Sequence, residues 1–123
     1  MEKQLYGIVL KVNDLDACRI FYRELFLPLV PVMDSSFAVV FNLTSDLTFT
    51  IEKSAAPYLE HSSSATSWRF DCADFAALQE RLLAIGYEFE PEPSGRESGY
   101  YWRTLDPEGN LVVVRQLQVQ QQS

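Results

Sequence analysis

Imidazole is almost absent from this chain: His61 is its one histidine. It lies beside a run of serines, where solvent exposure is the default, so neither a Ser-His-Asp nor a Cys-His constellation assembles around it. Cysteine is nearly as scarce. Cys18 and Cys72 stand among apolar neighbours, too few for a disulfide framework, and buried reduced thiols are the default reading. The five glycines are scattered and form no phosphate-cradling loop. Cations are outnumbered, 10 Lys and Arg against 17 Asp and Glu, for a net charge of −7. Such a surface repels phosphate backbones, which excludes nucleic acid as an expected partner. No apolar run approaches the roughly 20 residues needed to span a bilayer, so no membrane contact is expected. The opening Met1-Glu2-Lys3-Gln4 lacks the basic and apolar regions of a secretory leader, and the expected compartment is the cytoplasm.

What is present is enough for one core. A hydrophobic fraction of 47% over 123 residues stabilises a single domain, residues 1–123, without metal or disulfide help. Residues 5–12 read as a strand. Asn13-Asp14 then offers capping oxygens to a helix whose apolar stripe is Leu15, Cys18, Phe21 or Tyr22, and Leu25. Pro28 ends that helix just before it, because the residue preceding proline disfavours helical geometry. Strands are predicted at residues 29–33, 37–43 and 47–53, with turn chemistry at 34–36 and 44–46.

The pattern then runs again. Residues 67–72 read as a strand, Asp74 caps a helix with the stripe Phe75, Leu78, Leu82 and Ile85, and Gly86 is a left-handed stop. Strands follow at 87–90, 99–104 and 111–117. Asp14 and Asp74 lie 60 residues apart, so strand, cap and helix recur at that offset. The repeat predicts an α+β fold of two tandem βαβββ modules, residues 5–53 and 67–117, joined by a connector at 54–66. The connector contains Pro57 and Ser62-Ser63-Ser64, and residues 55–61 are a candidate short helix. The glutamine-rich tail from Gln116 to Ser123 is expected to fray. Asp106-Pro107-Glu108-Gly109-Asn110 joins an acceptor side chain, a preset φ and a residue free to take positive φ, which specifies a tight antiparallel turn.

Together Ile8-Val9-Leu10-Lys11-Val12-Asn13-Asp14-Leu15, Phe21-Tyr22-Arg23-Glu24-Leu25 and Asp106-Pro107-Glu108-Gly109-Asn110 resemble the signature of the glyoxalase/bleomycin-resistance/dioxygenase superfamily, the vicinal oxygen chelate proteins. The resemblance covers nearly the whole chain. It implies two modules whose sheets form a curved, partly open barrel around one cleft. In the metalloenzymes of the family that cleft holds a divalent metal on His or Glu side chains from the strands. Carried onto this chain, the ligand positions fall on Gly7, Ser67, Val113 and Thr50, or on Glu52 in place of Thr50 if the strand register is two residues off. At most one carboxylate survives, so no metal and no cofactor are expected. The glycine that usually ends the first helix is replaced by Leu27.

Side chains two apart on a strand share a face, so the same resemblance suggests a cleft lining. Lys11, Arg69 and Arg115 are candidates for an anionic group, Thr50 and Val113 for the wall, and Glu52 for an acceptor or catalytic base. Tyr100, Tyr101, Trp102 or Phe37 would supply aromatic walls, although alternation sends at least one ring of the Tyr-Tyr-Trp run into the core; Arg103 can face either way. The competing reading is that Lys11, Glu52, Arg69 and Asp71 pair with one another or reach solvent at strand ends. The leading functional expectation is a metal-free protein of the bleomycin-resistance type that holds a small organic ligand, for instance a drug or antibiotic, as a homodimer. The alternative is a metal-independent isomerase or lyase using Glu52 as base with Lys11 or Arg69 stabilising an oxyanion. A regulatory module with a vestigial cleft, and a metal-dependent glyoxalase or dioxygenase, rank below both.

Overall fold

The computed structural model describes residues 6–55, 67–91 and 101–117, with Tyr6 described by its backbone. The chain divides into two compact units, Met1–Ser63 and Ser64–Ser123. The first contains β1 (Tyr6–Val12), α1 (Leu15–Phe26), β2 (Met33–Asp34), β3 (Ala38–Thr44) and β4 (Leu47–Lys53). The second contains β5 (Ser67–Cys72), α2 (Phe75–Ala84), β6 (Glu90–Pro91), β7 (Tyr101–Leu105) and β8 (Leu111–Gln116). The fold is α+β, two tandem βαβββ modules as the repeat predicts. Their sheets, in the order β1-β4-β3-β2 and β5-β8-β7-β6, are open and not closed into a barrel. In each, the first strand pairs parallel with the last and the others run antiparallel. Among the described residues no helix is long and apolar enough to cross a membrane.

Both helices start for the same reason. Asp14 Oδ1 accepts from Ala17 N at 3.0 Å, and Asp74 Oδ1 from Ala77 N at 3.2 Å, each satisfying a first-turn amide that has no partner inside the helix. The stripes then bury as the spacing requires, Leu15, Cys18, Phe21, Tyr22 and Leu25 on α1 and Phe75, Leu78 and Leu82 on α2; Ile85, expected in the second stripe, is instead the half-buried C-cap residue. Tyr22 and Phe26 meet Phe49, and Phe26 meets Phe41 edge-on, so α1 lies on the Phe41/Phe49 side of its sheet. Phe75 stacks on Trp102 at 3.8 Å between ring centres and meets Phe89 edge-on, which puts α2 on the Trp102 side.

The helices end differently. After α2, Gly86 takes φ +96°, Gly86 N donates to Leu83 O and Tyr87 N to Leu82 O, a Schellman ending. α1 has Leu27 there, and Leu27 turns extended (φ −51°, ψ 139°) before a cis bond to Pro28, as a residue ahead of proline prefers.

Two expected strands come out shorter or shifted. The strand predicted at 29–33 is reduced to Met33–Asp34, because Pro28 and Pro31 offer no N–H to a neighbour; the Val32 N bond to Val40 O is what remains ahead of it. The strand predicted at 87–90 appears only as Glu90–Pro91, since Gly86 and Tyr87 are spent on closing α2. Of the strand predicted at 99–104, residues 99 and 100 lie outside the described residues, and the rest is β7. Gln116, expected both in the strand at 111–117 and at the start of a fraying tail, is in β8: its Oε1 accepts from Phe75 N at 2.7 Å and its Nε2 donates to Ala73 O at 2.6 Å, a second cap on α2. Leu5, His61, Tyr100, nearly all of the connector with its candidate short helix, and the tail beyond Leu117 lie outside the described residues.

The turn at residues 106–110 is built as its composition predicts. Asp106, 4% exposed, accepts through Oδ1 from Glu108 N and Asn110 N, both 2.8 Å, and through Oδ2 from Asn110 Nδ2 at 3.0 Å. Gly109 takes φ +88°, and Asp106 N donates to Asn110 O. This clamp joins β7 to β8 in register, which fixes where every side chain on those strands points.

Candidate functional site

Each sheet has one face toward its helix and one free of it. In the first unit the helix-free face is read from the register: Gly7 opposite Thr48, Val9 opposite Thr50, Lys11 opposite Glu52, with Val40 beside Thr50 and Met33 beyond it. Of the residues predicted for a cleft, Lys11, Thr50 and Glu52 lie here. Lys11 Nζ is 3.5 Å from Glu52, both side chains about half exposed, so the two form a solvent-screened ion pair. Thr50 is half-buried between Val9 and Val40. Phe37 lies just ahead of β3 and is 73% exposed.

In the second unit the helix-free face carries three arginines. Arg115 grips Asp71 bidentately, Nε to Oδ1 at 2.9 Å and Nη2 to Oδ2 at 2.8 Å. That hydrogen bond first, and one with Tyr101 next, hold the Arg115 pKa above its ordinary value. Arg103 pairs with Glu90 through Nε at 3.0 Å and Nη2 at 2.9 Å. Arg69 stands opposite Val113, and Val113 opposite Arg103, so the row across the sheet reads Arg69, Val113, Arg103, Glu90. Arg69 is exposed and makes no ion pair among the described residues. Val113, 3% exposed, is covered and offers a ligand little surface. Tyr101 is half-buried on the same face as Arg115.

Trp102 is on the other face. Its stack on Phe75 places it, half-buried, on the α2 side of the sheet and away from the face that carries Tyr101 and Arg103. The reason is the alternation itself: with Tyr101 and Arg103 on the helix-free face, Trp102 has to point at the helix.

A groove of about 470 Å³ opens in the second unit, lined by Gly86, Tyr87, Glu88, Glu90, Arg103 and Leu105, with Thr104 and Leu111. Its size is that of a small-molecule site. Sequence reasoning missed it because the loop after α2 brings Tyr87 and Glu88 to the strands only once Gly86 has closed the helix. A glycine followed by an aromatic and a glutamate is too common a string to mark a site alone.

A divalent metal does not suit the positions that the resemblance assigns to it, and Glu52, the alternative to Thr50, is a single carboxylate paired with Lys11. Gly7 has no side chain, and a Cβ there would meet Thr48 Oγ1 at 2.9 Å; Ser67 and Thr50 offer neutral hydroxyls, and Val113 offers nothing. Among the described residues no three His, Cys, Asp or Glu side chains gather as a possible metal site. Cys72, half-buried, has its thiol pKa raised, by burial first and by Asp74 and Asp71 next, which keeps it protonated and poorly nucleophilic.

The family model described as the Glyoxalase/Bleomycin resistance protein/Dioxygenase superfamily matches residues 5–114. Among solved structures, the chain is similar to the oxidase ChaP-H2 (16% identity, TM-score 0.67, covering 96% of each chain). It is also similar to a possible glyoxalase from Bacillus cereus (18% identity, TM-score 0.65, covering 93% of this chain and 99% of that one). A bleomycin resistance determinant encoded on the transposon Tn5 shares 20% identity at a TM-score of 0.63, covering 92% of this chain and 97% of that one. At such identities the likeness is one of fold. No curated protein matches the chain.

Proposed function

Because the chain belongs to the Glyoxalase/Bleomycin resistance protein/Dioxygenase superfamily, we propose that it is a metal-independent small-molecule-binding protein whose ligand carries an anionic group held by Arg69. The observation that carries this reading is the charge pattern on the helix-free face of the second sheet. Asp71 and Glu90 neutralise Arg115 and Arg103, whereas Arg69 has no carboxylate partner among the described residues. A guanidinium left this way presents a planar donor fork suited to a carboxylate. The neighbouring groove supplies the apolar part: Leu105, 55% exposed, and Leu111 line it together with the Tyr87 ring.

Sequestration fits these groups better than turnover. Glu52, the candidate base, is tied to Lys11, and both remain open to water. An acid or base at work in catalysis is usually desolvated or held beside a charge that tunes it. The reading carries with it one domain over residues 1–123, a homodimer and a cytoplasmic location.

The test is a thermal-shift screen of aromatic and aliphatic carboxylates alongside organic cations, on the wild type and Arg69→Gln. A carboxylate at one hundred times its Kd should add about 2.7 kcal/mol to the wild type and lose most of that in the variant. A panel in which only cations stabilise, or in which Arg69→Gln binds as well, refutes the assignment.

A further inference from the structure

The two halves repeat so closely that their strands present almost the same apolar code. β1 turns Ile8, Leu10 and Val12 to its helix, and β5 turns Trp68, Phe70 and Cys72; β4 offers Phe49 and Ile51, and β8 offers Val112 and Val114. In each half the first strand must find a parallel partner about 40 residues away, β1 with β4 and β5 with β8. Hydrophobic pattern does little to stop β1 from pairing with β8, or β5 with β4, while the chain folds.

Charge does distinguish them. At equivalent rows of the two sheets stands one cross-strand ion pair, Lys11 opposite Glu52 and Asp71 opposite Arg115. Their polarity is reversed: the cation is on the first strand in one half and on the last strand in the other. Exchanging partners in the same register would set Lys11 against Arg115 and Asp71 against Glu52, two like-charge contacts in place of two attractions. We infer that this reversed pair of salt bridges selects the correct partner strand in each half and keeps the duplicated modules from cross-pairing. Exposed pairs of this kind add little to the native state, which is why their use lies in discrimination between pairings.

The polarity can be exchanged without removing a pair. K11D/E52R gives both halves the polarity of the second, so cross-pairing becomes electrostatically neutral in cost. K11D/E52R/D71K/R115E reverses both halves and restores the opposition. The full chain is refolded from urea by dilution into low-salt and 1 M NaCl buffers, and the native fraction is read by size exclusion and near-UV circular dichroism. The expected result is a loss of native yield on the order of tenfold for K11D/E52R in low salt. The quadruple variant should recover the wild-type yield, and 1 M salt should narrow the difference because exposed charges are then screened. Equal yields for wild type and K11D/E52R overturn the inference. So does a quadruple variant that refolds no better than the double one, since that outcome marks a local effect of the substitutions and not one of polarity.

Discussion

Removing the carboxylate of Asp106 is the sharpest test of how the second sheet is held. Asp106→Ala takes away the acceptor for Glu108 N, Asn110 N and Asn110 Nδ2, all within 3.0 Å, from a residue that is 4% exposed. Hydrogen bonds to a charged group contribute about 1.5–3 kcal/mol each. Their sum overstates the loss, because Gly109 is exposed and Glu108 half-buried, so water reaches part of the opened turn. A loss of about 2–4 kcal/mol is expected, a large share of the stability of an ordinary domain. With a urea m-value of about 2 kcal/mol/M the midpoint falls by roughly 1–2 M. Asp106→Asn keeps one oxygen for the backbone amides but turns an NH2 toward Asn110 Nδ2, so it should fall between wild type and alanine. Asn110→Ala should cost about 1 kcal/mol, and the double variant less than the sum of the two. Urea titrations followed by tryptophan fluorescence measure all four. An Asp106→Ala loss under about 1 kcal/mol at unchanged m refutes the clamp as the device that joins β7 to β8.

Gly86→Ala should cost about 1 kcal/mol through backbone conformation alone, since φ is +96° and no atom lies within 4 Å of the added carbon; thermal denaturation checks it, and an unchanged melting temperature contradicts the Schellman ending. Cys72 should react with a thiol reagent more slowly than free cysteine at neutral pH, while Cys18, fully buried, should react only on unfolding. Because the folded thiol pKa is raised, the protonated Cys72 supports the fold fully below the unfolded thiol pKa. That support is lost as pH rises through the folded one, so Cys72→Ser should be less sensitive to alkaline pH than the wild type.

Much of this arrangement is legible in the sequence, and the reason differs from element to element. The caps Asp14 and Asp74, the apolar stripes, Gly86 and the 106–110 turn are readable because each depends on neighbours close in the chain. The strands at Met33–Asp34 and Glu90–Pro91 differ from what their sequences predict because a strand's length depends on what its distant partner can still bond after proline and a helix ending have taken their share. The contacts of Gln116 and Arg19 are hidden from the sequence for the same cause. Gln116 caps a helix 41 residues earlier in the chain, and Arg19 ties α1 to the β2–β3 turn through Asp34 Oδ1 at 2.8 Å and Ser35 O at 2.7 Å. The candidate site divides along the same line. Alternation sorts Tyr101 and Arg103 from Trp102 once a register is known, but which arginine keeps a partner is decided by strands that meet only in three dimensions.

The two faces of each sheet carry separate burdens, and this has an evolutionary side. The aromatic and branched residues under α1 and α2 are sealed against the helices, whereas Gly7, Thr48, Thr50, Ser67 and Arg69 on the opposite faces are small or reach solvent. Mutations on the sealed side are purged by the stability threshold, and those on the other side drift beneath it. A lineage with this layout can alter its helix-free faces by single steps, each intermediate still folded. Recruitment to new chemistry is then limited by what the helix-free faces can hold, while the scaffold underneath stays unchanged.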